Sequence, residues 1–119
     1  MRLLLVDDNE LNLELFSDAL ASDGHEVVTE NDALRGQRRA LAEPFDLIIL
    51  DIQMPGADGY TVCRALRGSG VSGPIVALSS DALPQHVAEG ERAGFDTYLT
   101  KPISPAELRA AVRRFGRAA

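Results

Sequence analysis

A single cysteine, Cys63, stands in the chain, so no internal disulfide can form. That scarcity suits a reducing compartment, and a cytoplasmic location is expected. No apolar run approaches the ~18 residues of a membrane span, so no membrane partner is expected. Positive charge is also short: 12 Lys and Arg stand against 18 Asp and Glu, a net charge of −6. A protein that binds by neutralising phosphates has the opposite balance, so nucleic acid is not an expected partner. Internal repeats, low-complexity tracts and linkers are absent. Met1-Arg2 runs straight into apolar residues and then acids, unlike a secretory leader. The rest is ordinary for a globular chain. The 119 residues are 45% apolar and 25% charged, and suit one domain over residues 1–119 with one sizeable core.

The pattern is organised around Phe45 to Gly59. Leu47-Ile48-Ile49-Leu50 is apolar without alternation, as in a strand buried on both faces, and the strand is expected over Phe45 to Asp51. Leu3 to Val6 repeats the pattern and ends at Asp7-Asp8. Asn9 caps a helix expected over Glu10 to Ser22, stopped by Gly24. At ~100° per residue, Leu11, Asn12, Leu15, Phe16, Ala19 and Leu20 share a face, with Leu13 just past its edge. That arc is wider than the stripe a surface helix needs, so part of it is expected to be exposed. Val27-Val28-Thr29 predicts a shorter strand. Asp32 caps a helix to about Ala42, with Arg35, Arg38 and Arg39 on a solvated face and Pro44 closing it. Asp58 caps a third helix whose inner face is Val62, Cys63 and Leu66. Ile75 to Leu78 predicts a strand ending at Ser79-Ser80-Asp81. A helix follows over Pro84 to Ala93, then a strand over Phe95 to Thr100 ending at Lys101-Pro102. Ser104 and Glu107 form a capping box, with Pro105 at the first helical position. Leu108, Ala111, Val112 and Phe115 give the last helix its stripe.

Five strands alternating with five helices imply βαβ units and a parallel sheet covered on both faces. At this length the expected fold is α/β, a flavodoxin-like doubly wound five-stranded sheet of order 2-1-3-4-5.

In such a sheet Asp7-Asp8, Asp51, Ser79 and Lys101 share one edge, where open α/β sheets hold ligands. Each has a plainer reading. Asp8 suits a helix cap, Asp7 and Asp51 solvated strand ends, Ser79 a turn and Lys101 a surface lysine. Their joint placement at four strand ends favours chemistry. Three carboxylates on one edge resist ionising together, and Mg²⁺ relieves this with oxygen ligands while leaving room for a phosphoryl oxygen. A lysine adds a point charge and a serine hydroxyl a hydrogen bond. These parts suit phosphoryl transfer, in which a carboxylate can be the nucleophile.

Val-Asp-Asp-Asn, Asp-Ile-Gln-Met-Pro-Gly-Ala-Asp-Gly, Leu-Ser-Ser-Asp and Tyr-Leu-Thr-Lys-Pro resemble, across nearly the whole chain, the receiver domains of two-component response regulators. The resemblance implies that Asp51 accepts a phosphoryl group from the phosphohistidine of a histidine kinase or histidine phosphotransferase. It implies Mg²⁺ on Asp8, Asp51 and the backbone carbonyl of Gln53, with Asp7 acting through water. Ser79 and Lys101 would contact the phosphoryl oxygens, and Tyr98 would turn inward when Ser79 moves. The Lys101-Pro102 peptide would be cis. Asp81 and Gln53 flank the site at positions that vary, and Ser80 stands where alanine is common. With the sequence ending at Ala119 after the fifth helix, a stand-alone receiver or one cut from a longer protein is expected, most similar to the DivK type of cell-division regulator. A downstream protein would then read a surface around Tyr98. The phosphodonor would approach the first helix, where Leu11 and Leu13 are candidate contacts, with burial of both as the alternative.

Three other readings fit the residues less well. An aspartate-nucleophile phosphatase of the haloacid dehalogenase type needs a second aspartate where Gln53 stands. A flavodoxin-like cofactor binder needs a polar phosphate loop where Asp7-Asp8 would repel phosphate. A degenerate receiver would serve only for docking, against which the complete acid and lysine set argues. His25 and His86 read as isolated, and Cys63 as a small core residue.

Overall fold

The computed structural model describes residues 1–54 and 56–117, and side chains only to Phe115. The expected Pro55 of the central loop and the terminal Ala119 lie outside the described residues.

The main sheet contains β1 (Arg2–Val6), β2 (Glu26–Glu30), β3 (Leu47–Asp51), β4 (Ile75–Ser79) and β5 (Thr97–Thr100). All neighbours are parallel and the order is β2-β1-β3-β4-β5, as the pattern predicts. A separate two-residue antiparallel ladder joins Gln53–Met54 to Ala57–Asp58 in the loop after β3. The helices are α1 (Glu10–Ser22), α2 (Ala33–Ala42), α3 (Gly59–Gly68), α4 (Pro84–Ala93) and α5 (Pro105–Arg117). No helix among the described residues is long and apolar enough to cross a membrane.

The caps follow the sequence. Asn9 accepts from the Asn12 N–H, Asp32 from Arg35 and Asp58 from Tyr60, while Ser104 and Glu107 bond reciprocally at 3.1 and 3.2 Å. Gly94 ends α4 in the left-handed region at φ 113°, where a side chain would be strained.

Alternate residues of the strands feed two cores. Leu3, Leu5, Leu47, Ile49, Val76 and Leu78 pack under α1 and α5. Leu4, Val6, Ile48, Leu50, Ile75 and Ala77 pack on the other side, against α2, α3 and α4. Every residue of β3 is buried, as expected of a central strand covered on both faces. The Cys63 thiol is fully buried, and burial pushes its pKa up to about 11.

The α1 face differs from its sequence reading. Leu13, Phe16 and Leu20 are the buried residues, whereas Leu11 is 61% exposed and Leu15 48%. The apolar arc is too wide to show its own centre; the α5 residues Leu108 and Val112 and the strands beneath select the Leu13 edge. Leu13 is therefore a core residue and not a surface contact, and Leu11 alone of the pair stands free. The arginine face on α2 also needs correction. Arg35 and Arg38 are exposed, but Arg39 pairs with Glu30 and Glu43, each at 3.1 Å.

Candidate functional site

Register brings the predicted residues to one rim. Val6 pairs with Leu50, so Asp7 stands level with Asp51 at the next step. Ser79 pairs with Thr100, which places Lys101 one step beyond. The only buried polar side chains among the described residues are Asp7, Asp51 and Ser79, at 0%, 3% and 0% exposure. A fold that keeps charge outside everywhere else has drawn these three in together.

Carboxylate oxygens of Asp7, Asp8 and Asp51 lie within 4.8 Å of one another, Asp8 being exposed. The Lys101 ammonium donates to Asp51 Oδ2 at 2.8 Å and lies 3.5 Å from Asp7 Oδ2. Backbone and amide donors hold the carboxylates in place. Asn9 N–H meets Asp7 Oδ1 at 2.9 Å, Asn12 Nδ2 meets Asp7 Oδ2 at 3.3 Å, and Gln53 N–H meets Asp51 Oδ1 at 2.9 Å. Burial raises the Asp51 pKa above the usual carboxylate value. The Lys101 bond and the Gln53 N–H pull it down without cancelling that effect, and the Asp7 charge adds to the rise. For Lys101, burial alone would lower the pKa, but the bond to Asp51 and the charges of Asp51 and Asp7 outweigh it, so the ammonium is held above its usual range.

All the donor atoms in the acidic group are carboxylate oxygens, with no imidazole or thiolate among them. One lysine faces three acids, so two negative charges remain if all three ionise. That donor set and that excess fit a hard divalent cation.

The loops after β3 and β4 complete the rim. Gly59 opens α3 directly against Ile52: a Cβ at that position would lie 2.6 Å from the Ile52 Cα. Gln53 reaches across to Ser80, whose N–H and Oγ both donate to its Oε1, at 3.0 and 2.6 Å. Ser79 Oγ accepts from the Asp81 N–H at 3.0 Å. Tyr98 is half-buried, and its hydroxyl donates to the Asp81 carbonyl at 2.7 Å. Lys101-Pro102 is cis.

Sequence reasoning missed the contacts of five side chains in this constellation. Asn12 was taken only as part of a helix face, and its place one turn inside α1, five residues after Asp7, was the available signal. Ser80 and the Gln53 side chain meet across 27 residues, and nothing local pairs them. Tyr60 donates to the His86 carbonyl at 3.1 Å and stands 3.4 Å from the Tyr98 hydroxyl. His86 is not isolated, because its Nδ1 bonds Asp81 Oδ2.

A buried carboxylate at the rim of a doubly wound sheet, beside a lysine, a hydroxyl and two further acids, defines a class of phosphoryl-accepting protein. Comparison with known proteins agrees. The model of the response regulator receiver domain matches residues 3–113. The two-component response regulator ORR41 of Oryza sativa subsp. japonica is 43% identical over 119 residues, covering 97% of this chain and 94% of the relative. The alkaline phosphatase synthesis transcriptional regulatory protein PhoP of Bacillus subtilis (strain 168) is 36% identical over 94% of this chain, which spans 47% of that longer protein. Among solved structures, the receiver domain of sensor histidine kinase PA1611 from Pseudomonas aeruginosa PAO1 superposes with a TM-score of 0.85 at 34% identity, covering 96% of this chain and 95% of that one. That structure has a magnesium ion coordinated in its active-site cleft. The chain belongs to the response regulator receiver domain family and is a phosphorylation-dependent switch of two-component signalling. Receiver domains interact with histidine kinases or histidine phosphotransferases.

Proposed function

We propose that Asp51 is the phospho-acceptor, with Lys101 and Ser79 holding the transferred group. The observation that carries this reading is the Lys101 ammonium 2.8 Å from a carboxylate that is only 3% exposed. Asp7 is as deeply placed, but the Lys101 ammonium stands farther from it, at 3.5 Å. Asp8 is exposed and lacks the lysine. An Asp51 oxygen attacks phosphorus as the phosphohistidine P–N bond breaks. Lys101 faces the negative charge that arrives, and the Ser79 hydroxyl turns from the Asp81 N–H to donate to a phosphoryl oxygen. Mg²⁺ would be held by Asp8, Asp51 and the Gln53 carbonyl, with Asp7 through water, and would neutralise charge as the phosphoryl group enters.

The donor is a histidine kinase or histidine phosphotransferase that approaches across α1, where Leu11 is exposed. The reader is a downstream protein that meets the surface around α4, β5 and α5, where Tyr98 reports the state of Ser79. Intact mass after incubation with acetyl phosphate and Mg²⁺ tests the acceptor. Wild type should gain one phosphoryl group and Asp51→Asn none. Stoichiometric labelling of Asp51→Asn would refute the assignment.

A further inference from the structure

Asp81 is bonded on four sides. Its N–H donates to Ser79 Oγ and its carbonyl accepts from Tyr98. Its Oδ1 accepts from the Leu83 N–H at 3.0 Å, and its Oδ2 is bonded by His86 Nδ1. Leu83 stands at the N-cap of α4 and provides no side-chain cap. His86 lies in the first turn of that helix, with its carbonyl held by the Tyr60 hydroxyl. The only side-chain tie from α4 to the loop that carries Ser79, among the described residues, is therefore the imidazole. A recess of about 200 Å³ opens beside it, with Asp58, Tyr60, Ser79, Asp81, His86 and Glu89 on its walls. Asp58, Asp81 and Glu89 are acids from three different segments, Glu89 being shared with Arg64 at 3.3 Å, and Tyr60 and Tyr98 are the phenols that face the imidazole and its partner. On that wall the imidazole alone gains a positive charge on protonation.

We propose that His86 is a positioning residue of the switch: by holding the Asp81 carboxylate it makes the first turn of α4 follow the Ser79 loop when Asp51 is phosphorylated. This rests on Asp51 being the acceptor. When Ser79 turns toward a phosphoryl group, the Asp81 N–H that it leaves is drawn with it or released. In either case the loop moves, and a loop bonded to His86 pulls on α4. A neutral imidazole makes this tie through Nδ1–H, and an imidazolium makes it as a charge-assisted bond about twice as strong.

Amide NMR with acetyl phosphate and Mg²⁺ tests this, comparing Ser80 and Asp81 in the loop with Gly90 and Ala93 in α4. In wild type both sets should shift together on phosphorylation. In His86→Ala the loop amides should still shift while α4 keeps less than roughly half of its wild-type displacement. His86→Gln, which keeps a side-chain donor, should restore most of the α4 displacement. Full α4 displacement in His86→Ala, or no restoration in His86→Gln, would overturn the proposal. A wild type with no phosphoryl adduct by mass would instead overturn the acceptor reading and this inference with it, so the two failures are told apart.

Discussion

Gly90→Ala tests whether Tyr98 sits where its hydrogen bond implies. Gly90 is buried in α4, and a Cβ there would lie 2.9 Å from Tyr98 Cδ2 and 3.2 Å from Cε2. The Tyr60 ring, at 3.6 Å, is in ordinary contact and need not move. The methyl group and the inward phenol therefore cannot both keep their places, and the phenol is the group with somewhere to go. Alanine gains about 1 kcal/mol of helix propensity over glycine. Displacing the ring loses the bond to the Asp81 carbonyl, about 1 kcal/mol, and exposes ~50 Å² of apolar surface, about another 1 kcal/mol. The net expectation is a loss of about 1 kcal/mol, or a few degrees in Tm. In a Tyr98→Ala background the obstacle is gone, and Gly90→Ala should stabilise by about 1 kcal/mol. The two substitutions should therefore couple by about 2 kcal/mol in a double-mutant cycle read by urea unfolding. Phosphoryl labelling of Gly90→Ala should be near normal, because no group that touches Asp51 changes, while phosphorylation-dependent partner binding should be lost. If Gly90→Ala stabilises the protein equally with and without Tyr98, the phenol does not occupy the space beside Gly90 and the reasoning fails.

Asp8→Asn removes one of three crowded carboxylates, so it should raise Tm in EDTA and weaken Mg²⁺ binding at least about tenfold by calorimetry. Lys101→Met leaves Asp51 and Asp7 facing each other without their cation, and should cost about 1–3 kcal/mol at pH 7. Because the folded Asp51 pKa is raised, stability is fully present below the unfolded carboxylate value and is lost as pH rises through the folded value. The Lys101→Met deficit should therefore shrink on acidification in denaturation curves taken from pH 7 downwards. Arg67→Ala should cost about 2–4 kcal/mol in urea unfolding, since its guanidinium bonds the Val71, Gly73 and Gly94 carbonyls and the Asp96 carboxylate.

The parts of the fold that could be read in the sequence are those set by neighbours along the chain. Continuous apolar runs place β1 and β4 within a residue of their observed ends and end β3 at Asp51, and the caps Asn9, Asp32, Asp58 and Ser104 start four helices where expected. Strand starts were harder. Phe45 and Asp46 look like the beginning of β3, but Arg2 stacks on the Phe45 ring and its N–H takes the Asp46 carboxylate, which holds both outside the strand. Phe95 likewise precedes β5, buried edge-on to Tyr60. The α1 face failed for a related reason: a helix with too many leucines leaves its orientation to α5 and the sheet. Among site residues, those at strand ends were legible because parallel topology converts a one-dimensional pattern into a shared edge. The ties between loops, Gln53 to Ser80 and Asp81 to His86, were not. Each joins side chains whose meeting depends on how two loops lean, and no periodicity encodes that.

What remains unbalanced at the rim is charge, not hydrogen bonding. No buried side-chain nitrogen or oxygen among the described residues lacks a partner. Asp7, Asp51 and Ser79 are each held by a backbone N–H, and Lys101 spans the two buried acids. A neutral ligand would therefore have to break bonds there and would gain nothing in exchange. A lone anion would add to an existing excess of negative charge, which already contributes to the raised Asp51 pKa through Asp7. Only a cation improves the resting site, and only with a cation in place does a phosphoryl group meet less repulsion than it brings. On the proposed reading, the order of events follows from the acids themselves: positive charge first, phosphoryl group second, and Ser79, paired with the Asp81 N–H at rest, turning after both.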